Sequence, residues 1–193
     1  MTDQIRPGRI PANATAEGDG VLVGDGTVQL DAFIDFLCPF CKRFELSAGS
    51  VLAALVAERR LTIAYHPMNF LDEASTTRYS TRAAAASGCA ADQGRYSEYA
   101  HALFVSQPAE GSAGLSDADL IELAGTAGLD GTALATCVSG GTYLDWPPYV
   151  TERAVAAGVS ATPTVLIAGV PISPDPRAIS RAVDRVAARA PDA

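Results

Sequence analysis

Two cysteines separated by two residues are the part of this chain best suited to chemistry, in the segment Cys38-Pro39-Phe40-Cys41. Alternating apolar residues precede the segment and an apolar stripe at helical spacing follows it, so the pattern predicts a junction between a central strand and a helix. Free backbone N–H groups and the helix dipole at such a terminus favour a thiolate, the nucleophile of disulfide exchange. Cys38 is therefore predicted to be the reactive cysteine, and the more buried Cys41 is predicted to resolve a mixed disulfide.

A C-x-x-C pair can also supply half of a zinc site, but a second pair of ligands is then needed. Cys89 and Cys137 are single and far apart, and His66 and His101 are isolated, each interpreted as a packed or capping histidine. We therefore predict redox chemistry and no metal site, and keep a non-catalytic peptide- or zinc-binding module as an alternative of another class. Four cysteines allow three disulfide connectivities, among which the sequence does not choose.

Composition limits the remaining classes of function. The 193 residues are 48% hydrophobic, which is enough for one folded domain with a real core. The net charge of −8 makes DNA and anionic membranes poor partners. Residues 1–20 have neither periodicity nor an apolar segment, so we predict a flexible leader without a secretory signal. Either the protein is intracellular or an export segment is absent from this chain.

The remaining patterns predict an α/β domain interrupted by a helical block. Strands are expected at 20–23 and 28–36, joined as a hairpin through the Asp25-Gly26 turn, and a third strand at 61–65. Residues 75–140 are Ala-rich and helical, with Ser116 as an N-cap. A helix opened by two prolines, a β-hairpin from residue 164 and a last helix complete the chain.

A second signature is Thr162-Pro163, directly before a β-prone run. Only about 5–6% of X–Pro bonds in folded proteins are cis, so the base rate favours trans and only the position of this pair favours cis.

Two segments resemble DsbA-like proteins. Residues 33–41, Phe-Ile-Asp-Phe-Leu-Cys-Pro-Phe-Cys, followed by Phe44-Glu45, resemble their active-site segment, and residues 158–164, Gly-Val-Ser-Ala-Thr-Pro-Thr, resemble their cis-proline loop. The resemblance covers about residues 21–189. It implies a thioredoxin fold, a central mixed β-sheet flanked by helices, with an inserted α-helical domain. The expected bounds are a leader at 1–20, a thioredoxin-like domain at 21–72 and 147–190, and an inserted domain at 73–146.

The resemblance also implies an activity: donating disulfides to reduced, unfolded or partly folded exported polypeptides. A membrane quinone-linked enzyme would reoxidise the pair, and no bound cofactor or nucleic acid is expected. Pro163 would be cis and face Cys38, Thr162 would offer backbone hydrogen bonds to an extended peptide, and Pro39 and Phe40 would contact the same substrate. We expect a monomer in an extracytoplasmic space. The alternative is a cytoplasmic reductase, thioredoxin-like or coupled to a low-molecular-weight thiol.

The resemblance also implies roles for Cys89 and Cys137, which lie outside the motif, and for Asp35, which lies close to it. Actinobacterial DsbA-like proteins are similar in carrying a structural disulfide in the helical domain, which implies a Cys89–Cys137 bond; two buried free thiols are the alternative. Many relatives have a buried acid six residues before the first cysteine, where this chain has Ala32. Asp35 is the replacement candidate for proton transfer, with an ordinary strand-end residue as the alternative.

Three further points concern the surroundings of the motif. Phe40 occupies the place where the most oxidising relatives have a histidine, so the potential could lie anywhere from about −270 to −120 mV. An exposed apolar patch of Met68, Phe70 and Leu71 near the active site is a hypothesis. Trp146 is interpreted as core or domain-interface filler.

Overall fold

The computed structural model describes residues 6–189 and contains one five-stranded mixed β-sheet with helices packed around it. The strands are β1 (Val21–Val23), β2 (Val28–Ile34), β3 (Leu61–Pro67), β4 (Thr164–Ile167) and β5 (Val170–Ile172). The helices are α1 (Pro39–Ala57), α2 (Tyr79–Ala91), α3 (Tyr96–Val105), α4 (Asp117–Ala127), α5 (Gly131–Ser139), α6 (Trp146–Ala156) and α7 (Pro176–Ala187), with a 3₁₀ turn at Asp72–Ala74.

The strand that leads into the cysteine motif lies at the centre of the sheet. The order is β1-β3-β2-β4-β5, with β2 parallel to β3 and antiparallel to β4. Successive residues Ala32, Phe33 and Ile34 are all buried, as expected for a strand covered on both faces. The prediction of a central strand is confirmed, and the strand ends a few residues before Cys38, inside the main core.

The predicted hairpin between the first two strands is wrong. β1 pairs antiparallel with β3, so the chain crosses over from the sheet edge to its centre. Gly24 has φ +88°, and a Cβ on Gly26 would lie 2.1 Å from the backbone nitrogen of Leu61. Gly24 therefore permits a left-handed backbone conformation, and Gly26 permits close approach to the backbone of Leu61; neither forms a hairpin turn between β1 and β2.

The helical block lies between β3 and α6, and the predicted fold class is confirmed. Helix α2 carries a run of buried alanines that allows close packing against α3, α5 and α6. Ser116 caps α4 through a reciprocal capping box with Asp119. Cys89 of α2 and Cys137 of α5 form a disulfide with an S–S distance of 2.10 Å. The bounds 73–146 for a separate domain stay a prediction.

The segment before β1 differs from the expected flexible leader wherever it is described. Trp146 Nε1 donates to the Gly18 carbonyl at 2.8 Å, and the Tyr149 hydroxyl donates to the Glu17 carbonyl at 2.8 Å. Ala14 also forms a β-bridge with Val21. The two side-chain donors are far away in sequence, so local pattern does not indicate this packing; residues 1–5 lie outside the described range.

Two properties of the described range bear on function. Among residues 6–189, no helix combines the length and apolar character needed to cross a lipid bilayer. Within the same range, no three His, Cys, Asp or Glu side chains are grouped as a metal ion would require.

Candidate active site

The cysteine motif is held at the N-terminus of α1. Cys38 is the N-cap, with extended backbone angles of φ −71° and ψ 118°, and Pro39 occupies the first turn, where its missing N–H is no loss. The Cys38 carbonyl accepts the first helical hydrogen bond from Lys42 N at 3.1 Å. Cys38 is 3% exposed and Cys41 is fully buried. The prediction of a strand–helix junction at this motif is confirmed.

The two thiols have opposite acidity. The pKa of Cys38 falls to about 6, first because of a hydrogen bond from the Cys41 side chain, with further hydrogen bonds from the Thr162 side chain and the backbone N–H groups of Cys41 and Phe40; burial opposes the shift. The pKa of Cys41 is raised well above that of an ordinary thiol, first by burial and then by its interactions with Cys38. At neutral pH the pair therefore holds one thiolate and one thiol, with the charge on Cys38.

The loop before β4 lies against the reactive sulfur. The Thr162–Pro163 peptide bond is cis. Cys38 Sγ lies 3.3 Å from the Thr162 carbonyl oxygen, which accepts from the thiol form. Antiparallel pairing of β2 with β4, in which Phe33 faces Thr164, brings this loop to the end of the central strand.

The exposed surface next to Cys38 is apolar. Pro39 is exposed, and Phe40 is 58% exposed with the guanidinium of Arg43 5.3 Å from its ring centroid. Phe70 is 41% exposed, whereas Met68 is fully buried, so the predicted patch is wrong for Met68. Met68 is drawn inward because its backbone N–H extends the β2 pairing by donating to the Ile34 carbonyl at 2.7 Å.

Asp35 is a fully buried acid just below the motif. Its carboxylate accepts hydrogen bonds from Ser80 Oγ at 2.7 Å and from the backbone N–H groups of Leu37 and Leu71, each at 2.8 Å. Its own backbone N–H points at Cys41 Sγ, 3.4 Å away. Burial raises the pKa of Asp35 to about 6, against the lowering effect of the three hydrogen bonds. The acid can therefore exchange a proton near neutral pH.

Two residues of the helical block, Ser80 and Gln107, contact this site although no sequence pattern predicts it. Ser80 supplies the hydroxyl on Asp35, and Gln107 Nε2 donates to the carbonyls of Phe36 at 2.9 Å and Cys38 at 3.0 Å. Neither belongs to a recognisable motif, and their partners are 45 or more residues away. Only the fold brings them to the cysteines.

The two histidines and the tryptophan have other surroundings. His66 is buried, with Nδ1 2.8 Å from the Asp19 carbonyl and Nε2 3.3 Å from a carboxylate oxygen of Asp31. His101 is exposed and its Nδ1 lies 3.1 Å from Glu45 Oε1. Trp146 is fully buried, as filler would be.

A C-x-x-C motif at a helix N-terminus, facing an X–cis-Pro loop at the end of a central strand, defines a dithiol protein of the thioredoxin fold. A family model described as thioredoxin matches residues 19–185, and this chain belongs to that family.

Mycobacterial proteins are among its similar solved structures. The reduced form of DsbA from Mycobacterium tuberculosis is 31% identical, with a TM-score of 0.78 over 90% of this chain and 94% of that one. The disulfide bond oxidoreductase DsbG of the same organism is 32% identical, with a TM-score of 0.79 over 90% of each chain. The resemblance to DsbA-like proteins is thus confirmed.

A curated relative is a larger protein. The serine/threonine-protein kinase PknE of Mycobacterium tuberculosis is 38% identical over 159 residues, which are 76% of this chain and 28% of the kinase. The match therefore concerns a little over a quarter of that protein's length.

Proposed function

We propose that this chain is a DsbA-like thiol–disulfide oxidoreductase that introduces disulfides into reduced, unfolded or partly folded exported polypeptides. The observation that carries the proposal is the geometry of the pair: Cys38 is the N-cap of α1 and lies 3.3 Å from the Thr162 carbonyl oxygen, whereas Cys41 is fully buried. These surroundings lower the pKa of Cys38 to about 6 and raise that of Cys41. A low-pKa thiol leaves readily in disulfide exchange and stabilises the reduced enzyme, and both effects favour giving the disulfide away.

The exchange begins on the oxidised Cys38–Cys41 disulfide. A substrate thiolate attacks Cys38 Sγ, the bond to Cys41 breaks, and Cys41 takes the electron pair and a proton. A second substrate thiolate then attacks the substrate sulfur of the mixed disulfide, and Cys38 leaves as a thiolate. The substrate dithiol loses two electrons, the enzyme gains them, and the second substrate proton goes to solvent.

Asp35 is proposed to exchange the proton of Cys41. The backbone N–H of Asp35 donates a hydrogen bond to Cys41 Sγ, so the two residues are in contact. The carboxyl group of Asp35 is buried, and its pKa of about 6 lets it give or take a proton near neutral pH. An acid with an ordinary pKa near 3.8 would remain ionised throughout the physiological range and could only accept.

The peptide is proposed to bind beside Cys38. The exposed Pro39 and Phe40 offer apolar surface, and Thr162 precedes the cis Pro163 with its carbonyl oxygen 3.3 Å from Cys38 Sγ. An extended segment could therefore pair with the Thr162 backbone while its cysteine reaches Cys38. The Cys89–Cys137 disulfide is assigned a structural role in this scheme.

We further propose an extracytoplasmic location, where disulfides persist, and action as a monomer. The reduced pair needs an external oxidant after each turnover. A membrane quinone-linked enzyme is the proposed reoxidising partner, on the strength of the likeness to DsbA.

The test is the reduction potential of the Cys38–Cys41 pair, measured by equilibration in glutathione buffers with Cys89 and Cys137 left intact. The proposal expects a value nearer to about −120 mV than to about −270 mV, the DsbA and thioredoxin ends of the range. A value near the lower end would mean that the protein holds its own disulfide firmly. The cytoplasmic reductase alternative would then replace this proposal.

Variants of the pair give a second readout, the oxidative refolding of reduced, unfolded ribonuclease. The variants are assayed with oxidised glutathione as the oxidant: in Cys41→Ser, Cys38 first forms a mixed disulfide with glutathione, and a ribonuclease thiolate then displaces glutathione and stays bound to Cys38, whereas Cys38→Ser should form no such adduct. Equal trapping by both variants would contradict the assigned order of attack.

A further inference from the structure

The end of α3 and the residues just after it are attached to the cysteine motif and the residues before it by four contacts. Gln107 Nε2 donates to the Phe36 carbonyl at 2.9 Å and to the Cys38 carbonyl at 3.0 Å. Lys42 Nζ donates to the Val105 carbonyl at 3.2 Å, and the Phe36 and Phe104 rings lie 5.0 Å apart. One side chain of the helical block thus holds the carbonyls on both sides of Leu37.

These carbonyls are where the backbone changes from strand to helix. Phe36 and Leu37 are almost completely buried, so a carbonyl at this point needs a partner inside the protein. The Cys38 carbonyl has one partner already in the Lys42 N–H, and Gln107 is its second. The carboxamide N–H groups also place partial positive charge beside two carbonyl oxygens, one of the reactive Cys38 itself and one two residues before it.

We propose that Gln107 is a positioning residue for the Cys38 thiolate, fixing the two carbonyls so that Cys38 Sγ stays between the N–H groups that open α1 and the Thr162 carbonyl. The inference rests on the redox role proposed for Cys38 and adds that the inserted helical block sets the reactivity of a cysteine in the thioredoxin-like part. Without the carboxamide, the loop is free to turn, and the sulfur loses its alignment with the helix N-terminus.

The test compares Gln107→Ala and Gln107→Glu with the wild type. The Glu variant keeps the shape of the side chain but replaces the donor with a carboxylate that repels both carbonyls. Gln93→Ala is the matched control, because Gln93 also joins two parts of the helical block: its Oε1 accepts from Asp130 N at 2.8 Å, a contact that does not involve the cysteine loop. The readouts are thiolate absorbance against pH in the reduced protein and the equilibrium with glutathione.

Gln107→Ala should raise the midpoint of the thiolate titration by about half a pH unit, a roughly threefold loss of thiolate, and Gln107→Glu by about one unit, or tenfold. The glutathione equilibrium should move toward the disulfide form by similar factors, because the reduced form has lost stabilisation. Gln93→Ala should leave both readouts unchanged.

A merely structural role would lower the melting temperature of the Gln107 variants and leave the titration midpoint at its wild-type value; that result would overturn the inference. If Gln107→Ala fails to fold, Gln107→Leu takes its place, because it also lacks the donor and adds no charge, whereas the carboxylate of Gln107→Glu also raises the titration midpoint by its own charge. The proposed direction of electron flow is tested separately: a low wild-type potential would remove the oxidant assignment, while the shift between wild type and variants would still be measurable.

Discussion

Replacing Asp35 by asparagine should change how the stability of the protein depends on pH. Burial raises the pKa of this carboxyl group from 3.8 to about 6. Each pH unit corresponds to about 1.36 kcal/mol, so ionising Asp35 costs the folded protein about 3 kcal/mol relative to the unfolded chain. The pKa of Asp35 is higher in the folded protein than in the unfolded chain, so the protonated carboxyl group favours the folded state. This contribution to the free energy of unfolding is complete below about pH 4 and is lost as pH rises through 6. The asparagine side chain of the variant cannot ionise, so the variant should show no such loss.

The substitution also has a cost that does not depend on pH. The carboxylate accepts from three donors, two of them the backbone N–H groups of Leu37 and Leu71. An amide has one oxygen, so its NH₂ group must face a buried donor, which costs roughly 1–3 kcal/mol. The Asp35→Asn variant should therefore be the less stable protein near pH 4 and should recover by about 3 kcal/mol relative to wild type by pH 7.5.

Urea unfolding of the oxidised proteins from pH 3.5 to 7.5 measures this difference. Oxidation removes the charge on Cys38, which is the last and smallest of the causes that raise the pKa of Asp35, so the recovery in the oxidised protein should be somewhat below about 3 kcal/mol. Ser80→Ala supplies a second check: the Ser80 hydrogen bond lowers the pKa of Asp35, so its loss should move the pH window upward. A stability difference between wild type and Asp35→Asn that stays constant across the range would refute a raised pKa for Asp35 and, with it, the proton-exchange role.

Two more outcomes follow from the site and the disulfide. Because the pKa of Cys38 is about 6 and that of Cys41 is raised, reduction of the disulfide should take up two protons below pH 6 and one proton above it. The reduction potential measured in glutathione buffers should therefore fall by about 59 mV per pH unit below pH 6 and by about 30 mV per pH unit above it. A single slope from pH 4.5 to 8 would contradict the low pKa of Cys38. The Cys89–Cys137 bond spans 48 residues, so replacing both cysteines by alanine should lower the free energy of unfolding, measured by denaturant titration, by up to about 4 kcal/mol. The thiolate titration of Cys38 should not change. A shifted titration would mean that the disulfide also affects the active site.

The parts of the site that can be predicted from sequence are those fixed by local pattern. Alternation marks β2, the apolar stripe marks α1, and the C-x-x-C motif between them needs no distant residue to be recognised. The predicted β1–β2 hairpin is wrong because the turn residues at 24–27 serve a crossover, and the true partner of β1 is β3. β1 and its partner β3 are about 40 residues apart in the sequence, so the local pattern around β1 does not indicate this pairing.

The same reasoning explains why the surroundings of the cysteines can be predicted only in part. Asp35 can be singled out by its place before the motif, but its partners Ser80 and Leu71 lie 45 and 36 residues further along the chain. Gln107 is 69 residues from Cys38 and looks like any polar residue after a helix. Burial of Met68 likewise follows from a hydrogen bond to β2 that only the folded chain forms.

The position of the buried acid decides what it can do. Ala32, the position at which the resemblance would place the acid, lies inside β2 with Tyr65 and Val165 as its neighbours across the sheet. Asp35 instead follows the strand, where the chain turns toward α1 and free N–H groups are available to its carboxylate. Burial alone would keep the acid protonated, and three hydrogen bonds alone would keep it ionised. Since both act on Asp35, its pKa settles at about 6, where both forms are populated and a proton can pass in either direction.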